Sequence, residues 1–392
     1  MPRPAYGLPA TAAEVRAMSS ALQTAFAVDR KGVGLWIRKA GPSNFRVERA
    51  GRAVVACLNL IPMGQWFGGR RVSMTGVAGV AVPPEHRARG HASALMRGAV
   101  REMAADGVAL SGLYPATQPV YRRVGYEQAG TRTVYTLPVP SIDGRDREGE
   151  IRAAGPRDRG AIRRLYGAWT AASSGLLDRT DYMWWRAFGR GEEGYRTYLV
   201  IRGGRTEGYF VLRQEKRPAG PPYDLWLHDF AFATPAAGRR MLSFLAAHRS
   251  LAGDLHWTGG PADALFLLLA EPALSVKWQM RWMVRITDLR RAVEERGYPS
   301  GLAAEAHLEV RDPLVAKNDG PWTIRVAGGR GRAVRGGRGT VKAEISALGP
   351  VYTGFRSPLE QRISGGVLGP DRDLAALGAM FAGPAPWNRE MY

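Results

Sequence analysis

The segment from Val77 to Ala104 constrains the fold of this chain more than any other. It begins as a run of small and β-branched residues, Val77-Ala78-Gly79-Val80-Ala81-Val82, which reads as a strand ending at Pro83-Pro84. A basic loop follows, Arg87-Ala88-Arg89-Gly90-His91-Ala92. The apolar period then changes from about 2 to about 3.6 residues. Leu95, Met96, Ala99, Val100, Met103 and Ala104 mark one face of a helix, which Gly107 closes. Strand, basic glycine-containing loop and helix in this order aim unpaired backbone N–H groups and the positive end of a helix dipole at one point. Such a point seats a pyrophosphate. Gly90 lets the backbone come close to the phosphates, and Ala92 keeps the first helical turn slim. Arg87 and Arg89 can add charge-assisted bonds, or stand as solvated surface side chains.

The flanking sequence repeats the same alternation. Residues 10–26 read as a helix with Val15, Met18, Leu22 and Phe26 at helical spacing, and residues 53–61 and 76–82 read as strands. Beyond Gly107 come a strand at 108–114, a short helix at 119–124 and a strand at 131–137. A polar, turn-rich stretch at 140–149 reads as a linker. The pattern then restarts: a helix at 161–172, then a strand at 229–233 leading through Thr234-Pro235 into a helix at 236–248. We read this as a degenerate internal repeat. From about residue 303 the pieces are strand-like (306–310, 322–326, 341–345) before a helix at 371–381. The Arg- and Gly-rich segment 328–339 has the look of RNA-binding repeats. It is short and lacks an aromatic partner, so it reads as a loose hairpin connection.

Composition sets the outer bounds. A chain of 392 residues exceeds one ordinary core, and 45% apolar residues with 11 Trp, 14 Tyr and 11 Phe exclude a disordered protein. The charge of +20, from 55 Lys+Arg against 35 Asp+Glu, would suit anionic partners. The arginines are spread along the chain, which points to a general compositional bias and does not favour a nucleic-acid partner. The one cysteine, Cys57, has no partner for a disulfide and no ligands at metal-binding spacing, so an inert buried thiol and no metal are expected. Met1-Pro2-Arg3-Pro4-Ala5-Tyr6 lacks a signal-peptide pattern, and no apolar run approaches the roughly 18 residues of a membrane span, which places the chain in the cytoplasm.

The spacing Val80-x-Val82-x-Pro84-x-x-Arg87-x-x-Gly90-x-Ala92, followed downstream by Tyr121-Arg122-Arg123-Val124-Gly125-Tyr126-Glu127, resembles the signature of GNAT acyltransferases. The whole chain resembles the enhanced-intracellular-survival (Eis) family of N-acetyltransferases. Trp282-Met283-Val284-Arg285-Ile286-Thr287-Asp288-Leu289, Arg296-Gly297-Tyr298-Pro299, and the run through Leu348, Tyr352, Gly354 and Leu359 carry the likeness to the C-terminus. The resemblance implies an α/β (α+β) chain of tandem GNAT folds plus a C-terminal sterol-carrier-protein-like domain. The implied divisions are 1–140, 141–292 and 293–392.

It further implies an acetyl-CoA-dependent N-acetyltransferase acting on an amine of a small molecule or of a lysine. Val80, Ala81 and Val82 would pair with the pantetheine arm, and Arg87, Ala88, Arg89, Gly90, His91, Ala92 and Ser93 would hold the pyrophosphate. Ala116 and Thr117 would border the cofactor, where the aminoglycoside acetylators of the family carry a Ser-Glu pair. Tyr121 would be the general acid, with Tyr126 a packing residue, and the terminal carboxylate of Tyr392 the general base. Trp387 and Tyr392 then read as a docked tail. The acidic residue that precedes the terminal aromatic in aminoglycoside acetylators is replaced by Met391, with Glu390 one step back. Gly238-Arg239-Arg240 lacks the loop spacing, so the second region should bind no CoA. Trp36 and Trp184 are candidate substrate contacts, as are Trp185, Trp226 and Trp257. The family also implies a homo-oligomer, a hexamer. Two alternatives stay open at this point: transfer of a longer acyl chain to a natural product, and a nucleic-acid-binding protein with an inactive GNAT fold.

Overall fold

The computed structural model describes residues 5–392; residues 1–4, which carry most of the reading against a signal peptide, lie outside the described residues. The chain divides into two units. One holds the chain up to residue 129, residues 282–383 and Tyr392; the other holds residues 130–281 and 384–391.

The first unit opens with a short strand β1 (Tyr6–Gly7) and helix α1 (Ala12–Phe26), started by the Thr11 side chain accepting from the Glu14 N–H. Met18 and Leu22 are buried as the spacing predicts, but Val15 and Phe26 are exposed. The buried face is turned toward Glu14, whose carboxylate takes the Arg49 guanidinium at 2.9 Å in a buried pair. Helix α2 (Arg30–Ala40) precedes the strands β2 (Phe45–Ala50), β3 (Ala53–Phe67) and β4 (Arg70–Ala81). These strands pair in antiparallel succession. In β3 the Cys57 thiol is buried, and burial pushes it up to about 12, as an inert thiol requires.

Between Cys57↔Ala81 and Asn59↔Ala78 the register gains one residue on β4. This is a β-bulge at Gly79, whose φ of +61° a side chain would resist. Helix α3 (His91–Ala105) buries all six residues predicted for its inner face. Strand β5 (Leu110–Leu113) runs parallel to β4, so β4–α3–β5 is a crossover unit. A one-turn helix α4 (Gln118–Arg122) then leads into β6 (Glu127–Pro138).

The second unit continues from β6 with β7 (Glu150–Ala153), helix α5 (Arg159–Ala171), the two-residue β8 (Leu177–Asp178) and helix α6 (Asp181–Ala187). Strands β9 (Arg196–Arg202), β10 (Arg205–Lys216) and β11 (Tyr223–Phe232), helix α7 (Pro235–Ala246) and strand β12 (Ala252–Gly259) complete it. The sheet runs β6-β12-β11-β10-β9-β7. Alternation along β10 supplies two cores: Tyr209 and Val211 pack with Ile162 and Trp184, Phe210 and Leu212 with Met241 and Leu245. The parallel pair β11–β12 joined by α7 repeats the β4–α3–β5 crossover, as the degenerate repeat in the sequence predicts.

Strand β13 (Ser275–Ile286) returns the chain to the first unit, where Met283–Ile286 pair antiparallel with β5. After helix α8 (Leu289–Glu295), strands β14 (Ala304–Arg311), β15 (Gly320–Ala327), β16 (Arg330–Arg335), β17 (Val341–Glu344) and β18 (Val367–Leu368) form a second sheet, ordered β16-β15-β14-β17-β18. Helices α9 (Ile345–Thr353), α10 (Pro358–Ile363) and α11 (Asp371–Met380) accompany it. The Arg- and Gly-rich segment is tighter than a loose connection. Gly328 and Gly329 make the turn, and Arg330–Arg335 is a strand fully paired to β15, with Arg335 lying 4.3 Å over the Trp322 ring. The Arg296-Gly297 motif gains a physical reason. Gly297 lies so close to Gly68 that a Cβ would stand 1.8 Å from the Gly68 carbonyl oxygen, and the buried Arg296 guanidinium sits among Phe67, Tyr352 and Phe381. Among the described residues no helix is long and apolar enough to cross a membrane.

Candidate active site

The site builds from the end of β4. β4 pairs with β5 only from Met74↔Leu110 to Val77↔Leu113, while β4 itself runs on to Ala81. Beyond Val77 the two parallel strands part, and Ala78 to Val82 are left with an open backbone edge of the kind an extended ligand can join. A single turn, Pro84–His86, leads to Ala88 and Gly90, which both stand at positive φ (59° and 82°). A Cβ on Gly90 would meet nothing within 4 Å, so it is the backbone conformation that calls for glycine.

Helix α3 has no side-chain cap, and Ala94 is the first residue to bond back, to the Gly90 carbonyl. The N–H groups of His91, Ala92 and Ser93 therefore open onto the loop. The Arg87 Nε donates to the Val82 carbonyl at 3.3 Å, which ties the loop to the strand end. The second unit is built otherwise at the matching place. Thr234 caps α7 through a bond from the Ala237 N–H at 3.2 Å and donates to Glu207 at 2.8 Å, so a carboxylate already stands at that helix start.

Tyr121 lies on α4, 7% exposed, in the core formed by α3, Val77 and Leu113, with Val80 and Val82 packed on its edge. Burial raises its pKa, so the phenol keeps its proton at neutral pH. Tyr126 is fully buried and donates to the Ser111 hydroxyl at 2.6 Å, which in turn donates to the Thr75 carbonyl at 3.0 Å. Between the tyrosines Gly125 holds φ +87°, and any Cβ there would collide with the Arg285 guanidinium, which pairs with Asp312 at 2.8 Å in the interior. The Gly-Tyr-Glu motif is thus a backbone requirement as much as a signature. Ala116 and Thr117 are exposed just before α4.

Tyr392 rests on the other face of the same strands. Its ring covers Gly76 and Gly112 and meets Tyr114 edge-on at 5.6 Å. A Cβ on Gly76 would stand 2.8 Å from the ring, and one on Gly112 would stand 2.6 Å from its hydroxyl. Because Gly76 and Gly112 alternate with Val77 and Leu113, Tyr392 and Tyr121 flank the point where β4 and β5 part. On the Tyr392 face of β3, Asn59 is wholly buried with neither amide atom hydrogen-bonded. Nothing local in the sequence marks Gly76 and Gly112 as site residues, and Asn59 shows only as a polar residue interrupting the apolar run from Val54 to Ile61.

The residues before Tyr392 belong to the second unit. There the Thr131 N–H donates to the Pro386 carbonyl and the Asn388 N–H to the Thr131 carbonyl. Arg389 reaches Asp229 at 2.6 Å, and Glu390 pairs with Arg179. Glu390 is therefore a buried counter-ion. Trp36 packs on the Gly79 bulge, between Phe26 and Phe45. Trp184 is 5% exposed, stacked on Phe188 within a core, and Trp257 is also core; of the tryptophans singled out in this unit, Trp226 lines a cavity. Asp224, Asp254 and His256 stand close enough together to recommend a metal, but Arg217 bonds both aspartates and Lys277 stands 3.3 Å from His256.

Residues 8–129 and residues 175–286 each match a model of the acetyltransferase (GNAT) domain, and residues 289–389 match a sterol carrier protein domain. A GCN5-related N-acetyltransferase from Anabaena variabilis, known from its crystal structure, is 31% identical; the match covers 99% of this chain and 100% of that one, with a TM-score of 0.94. The chain belongs to the GCN5-related N-acetyltransferases. An uncharacterized N-acetyltransferase of Streptomyces avermitilis is 26% identical over 411 residues, covering 98% of this chain and 93% of the relative. Eis1 from Mycobacterium abscessus, at 20% identity and a TM-score of 0.80 over 99% of this chain and 100% of its own, shares the fold. As a GNAT enzyme, this acetyltransferase takes a co-substrate of the acetyl-CoA type. The uncapped start of α3 and the open edge of β4 fit that molecule, one offering N–H groups to its phosphates and the other a strand edge to its pantetheine arm.

Proposed function

We propose that the chain is an Eis-like N-acetyltransferase that moves the acetyl group of acetyl-CoA to a primary amine, with the chemistry in the first unit. The observation that carries this reading is the seating of the Tyr392 ring on Gly76 and Gly112, beside the point where β4 and β5 part. Residues Arg87 to Ser93 hold the pyrophosphate, Val80, Ala81 and Val82 pair with the pantetheine through backbone groups, and Ala116 and Thr117 border it. The Tyr392 carboxylate takes a proton from the attacking ammonium, and the freed lone pair attacks the thioester carbonyl. As the carbon–sulfur bond breaks, Tyr121 gives its proton to the leaving thiolate, and the second proton that the acylated nitrogen sheds on becoming the amide returns the phenolate to the phenol. The second unit binds no CoA, since Thr234 and Glu207 occupy the helix start. The working division of the chain is 1–140, 141–292 and 293–392. The enzyme works in the cytoplasm as a homo-oligomer, a hexamer by its resemblance, which light scattering on the purified protein tests.

Thiol release from acetyl-CoA with a panel of amines tests the reaction. Tyr121→Phe is expected to lower kcat by about 10²-fold with acetyl-CoA binding retained. Unchanged turnover in that variant would remove Tyr121 from the mechanism. Gly112→Ala should displace the Tyr392 ring and cost about 10²-fold in kcat, again with the cofactor bound normally. An unaffected rate would show that the seat of Tyr392 does not matter.

A further inference from the structure

Three cross-strand neighbours form a row on the Tyr392 face of the first unit's sheet: Phe45 on β2, Asn59 on β3 and Ala78 on β4, paired in that order. Directly opposed residues of antiparallel strands point to the same face, so the Asn59 side chain stands between those of Phe45 and Ala78. Ala78 lies two residues along β4 from Gly76, which bears the Tyr392 ring, and it is the first residue of β4 beyond the pairing with β5. Asn59 therefore flanks the point where the two parallel strands part. Trp36 of α2 meets Phe45 ring to ring at 6.2 Å on one side of the row and packs on Gly79 on the other. All of these residues, Tyr392 included, belong to the first unit.

Asn59 is wholly buried, and among the described residues neither its carbonyl oxygen nor its amide nitrogen has a hydrogen-bond partner. An amide buried with its donors and its acceptor unused destabilises a fold more than an apolar residue in its place, and native structures seldom keep one without a use. The Trp36 Nε1 is buried and has no acceptor either. An indole N–H and an amide oxygen beside one row would remove both deficits by bonding to each other, and they do not. A polar group is thus held open in an apolar row next to the reacting centre.

We propose that Asn59 is a substrate contact of the transfer reaction, its Oδ1 accepting one N–H of the attacking amine on the face of the sheet where Tyr392 sits. The inference rests on the amine-transfer reading above. A primary ammonium brings three N–H bonds to the site. One proton goes to the Tyr392 carboxylate, a second returns the Tyr121 phenolate to the phenol, and the third stays in the amide product. The third is the one that Asn59 holds. That bond keeps the nitrogen from turning, so the lone pair left by the first proton faces the thioester carbonyl. A secondary ammonium has only two N–H bonds and leaves Asn59 unpaired, which the site penalises. Primary amines are the class this arrangement selects.

Thiol release from acetyl-CoA tests it, with butylamine, cadaverine and benzylamine each run beside the counterpart methylated on nitrogen. Unfolding midpoints are read in parallel with saturating CoA. Asn59→Val removes the unused amide and suits a strand, so its midpoint should equal or exceed that of the wild type; Asn59→Ala serves if valine is too wide for the row. In both variants kcat/KM for the primary amines should fall about 10- to 100-fold, with the KM for acetyl-CoA unchanged. The wild type should favour each primary amine over its methylated counterpart by about 10-fold or more, and the variants should narrow that preference by the factor that the primary amine loses. Full kcat/KM in both variants overturns the proposal, as does an equal loss for primary and methylated amines. A midpoint below the wild type in both variants, with a raised KM for acetyl-CoA, also overturns it and makes Asn59 a residue of the fold. A wild type that acetyl-CoA stabilises but that releases thiol with none of these amines sinks the amine-transfer reading, and the proposal with it.

Discussion

Two glycines added after Tyr392 are expected to cut acetyl transfer by about 10²- to 10⁴-fold while leaving acetyl-CoA binding intact. The extension converts the terminal carboxylate into a peptide carbonyl, which has no useful basicity at neutral pH. The attacking amine then stays an ammonium and has no lone pair to offer. The Tyr392 ring has its own seat on Gly76 and Gly112, and the residues before it are held by Thr131, Asp229 and Arg179, so a short polar addition does not dislodge the tail by itself. Hydrogen exchange at residues 387–390 separates the two causes. Protection should be equal in the chains with and without the two glycines, so that the lost rate reports the carboxylate. Normal turnover in the extended chain would eliminate the terminal base.

What could be read in the sequence divides along physical lines. The α3 face from Leu95 to Ala104 was legible because a helix buried on one side writes its period into consecutive residues. The strand, loop and helix order was legible for the same reason. The spacing along α1 places Val15 and Phe26 inward, whereas the structure exposes both and buries Glu14 in an ion pair with Arg49, and charge pairing across 35 positions leaves no local period. Local propensity argues against a strand at Arg330–Arg335, since arginine and glycine are weak strand formers; pairing with β15 and stacking of Arg335 on Trp322 supply what propensity does not. The β-branched and apolar pattern of residues 341–345 predicts a strand to its end, whereas Ile345 begins α9. The glycines under Tyr392 could not be found at all, since their meaning depends on a residue some 280 to 320 positions away, a separation that no window spans.

Asp229→Asn is expected to cost about 3–5 kcal/mol and to release the tail, because the change leaves two buried guanidinium groups with one carboxylate between them. Asp229 accepts both terminal nitrogens of Arg179, at 2.6 and 2.9 Å, the Arg389 Nη1 at 2.6 Å and the Tyr209 hydroxyl at 2.6 Å. Burial by itself would raise its pKa, but the charges of Arg179 and Arg389 and the bonds from Arg179 and Tyr209 outweigh it and hold the carboxyl far below the usual range. A carboxylate with a lowered folded pKa adds stability above its unfolded value near 3.8, and that stability fades as pH falls below it. The gap between wild type and Asp229→Asn in unfolding midpoint should therefore be constant from pH 5 to 8, and narrow as pH drops below about 4. In the variant, Arg389 loses its anion and the amide of Asn388 should exchange faster. Because Tyr392 follows two residues after Glu390, acetyl transfer should fall with that loss of protection while cofactor binding persists. A destabilised variant with full activity and a protected tail would mean that Asp229 serves the interior alone, and that the seat on Gly76 and Gly112 holds Tyr392 without help.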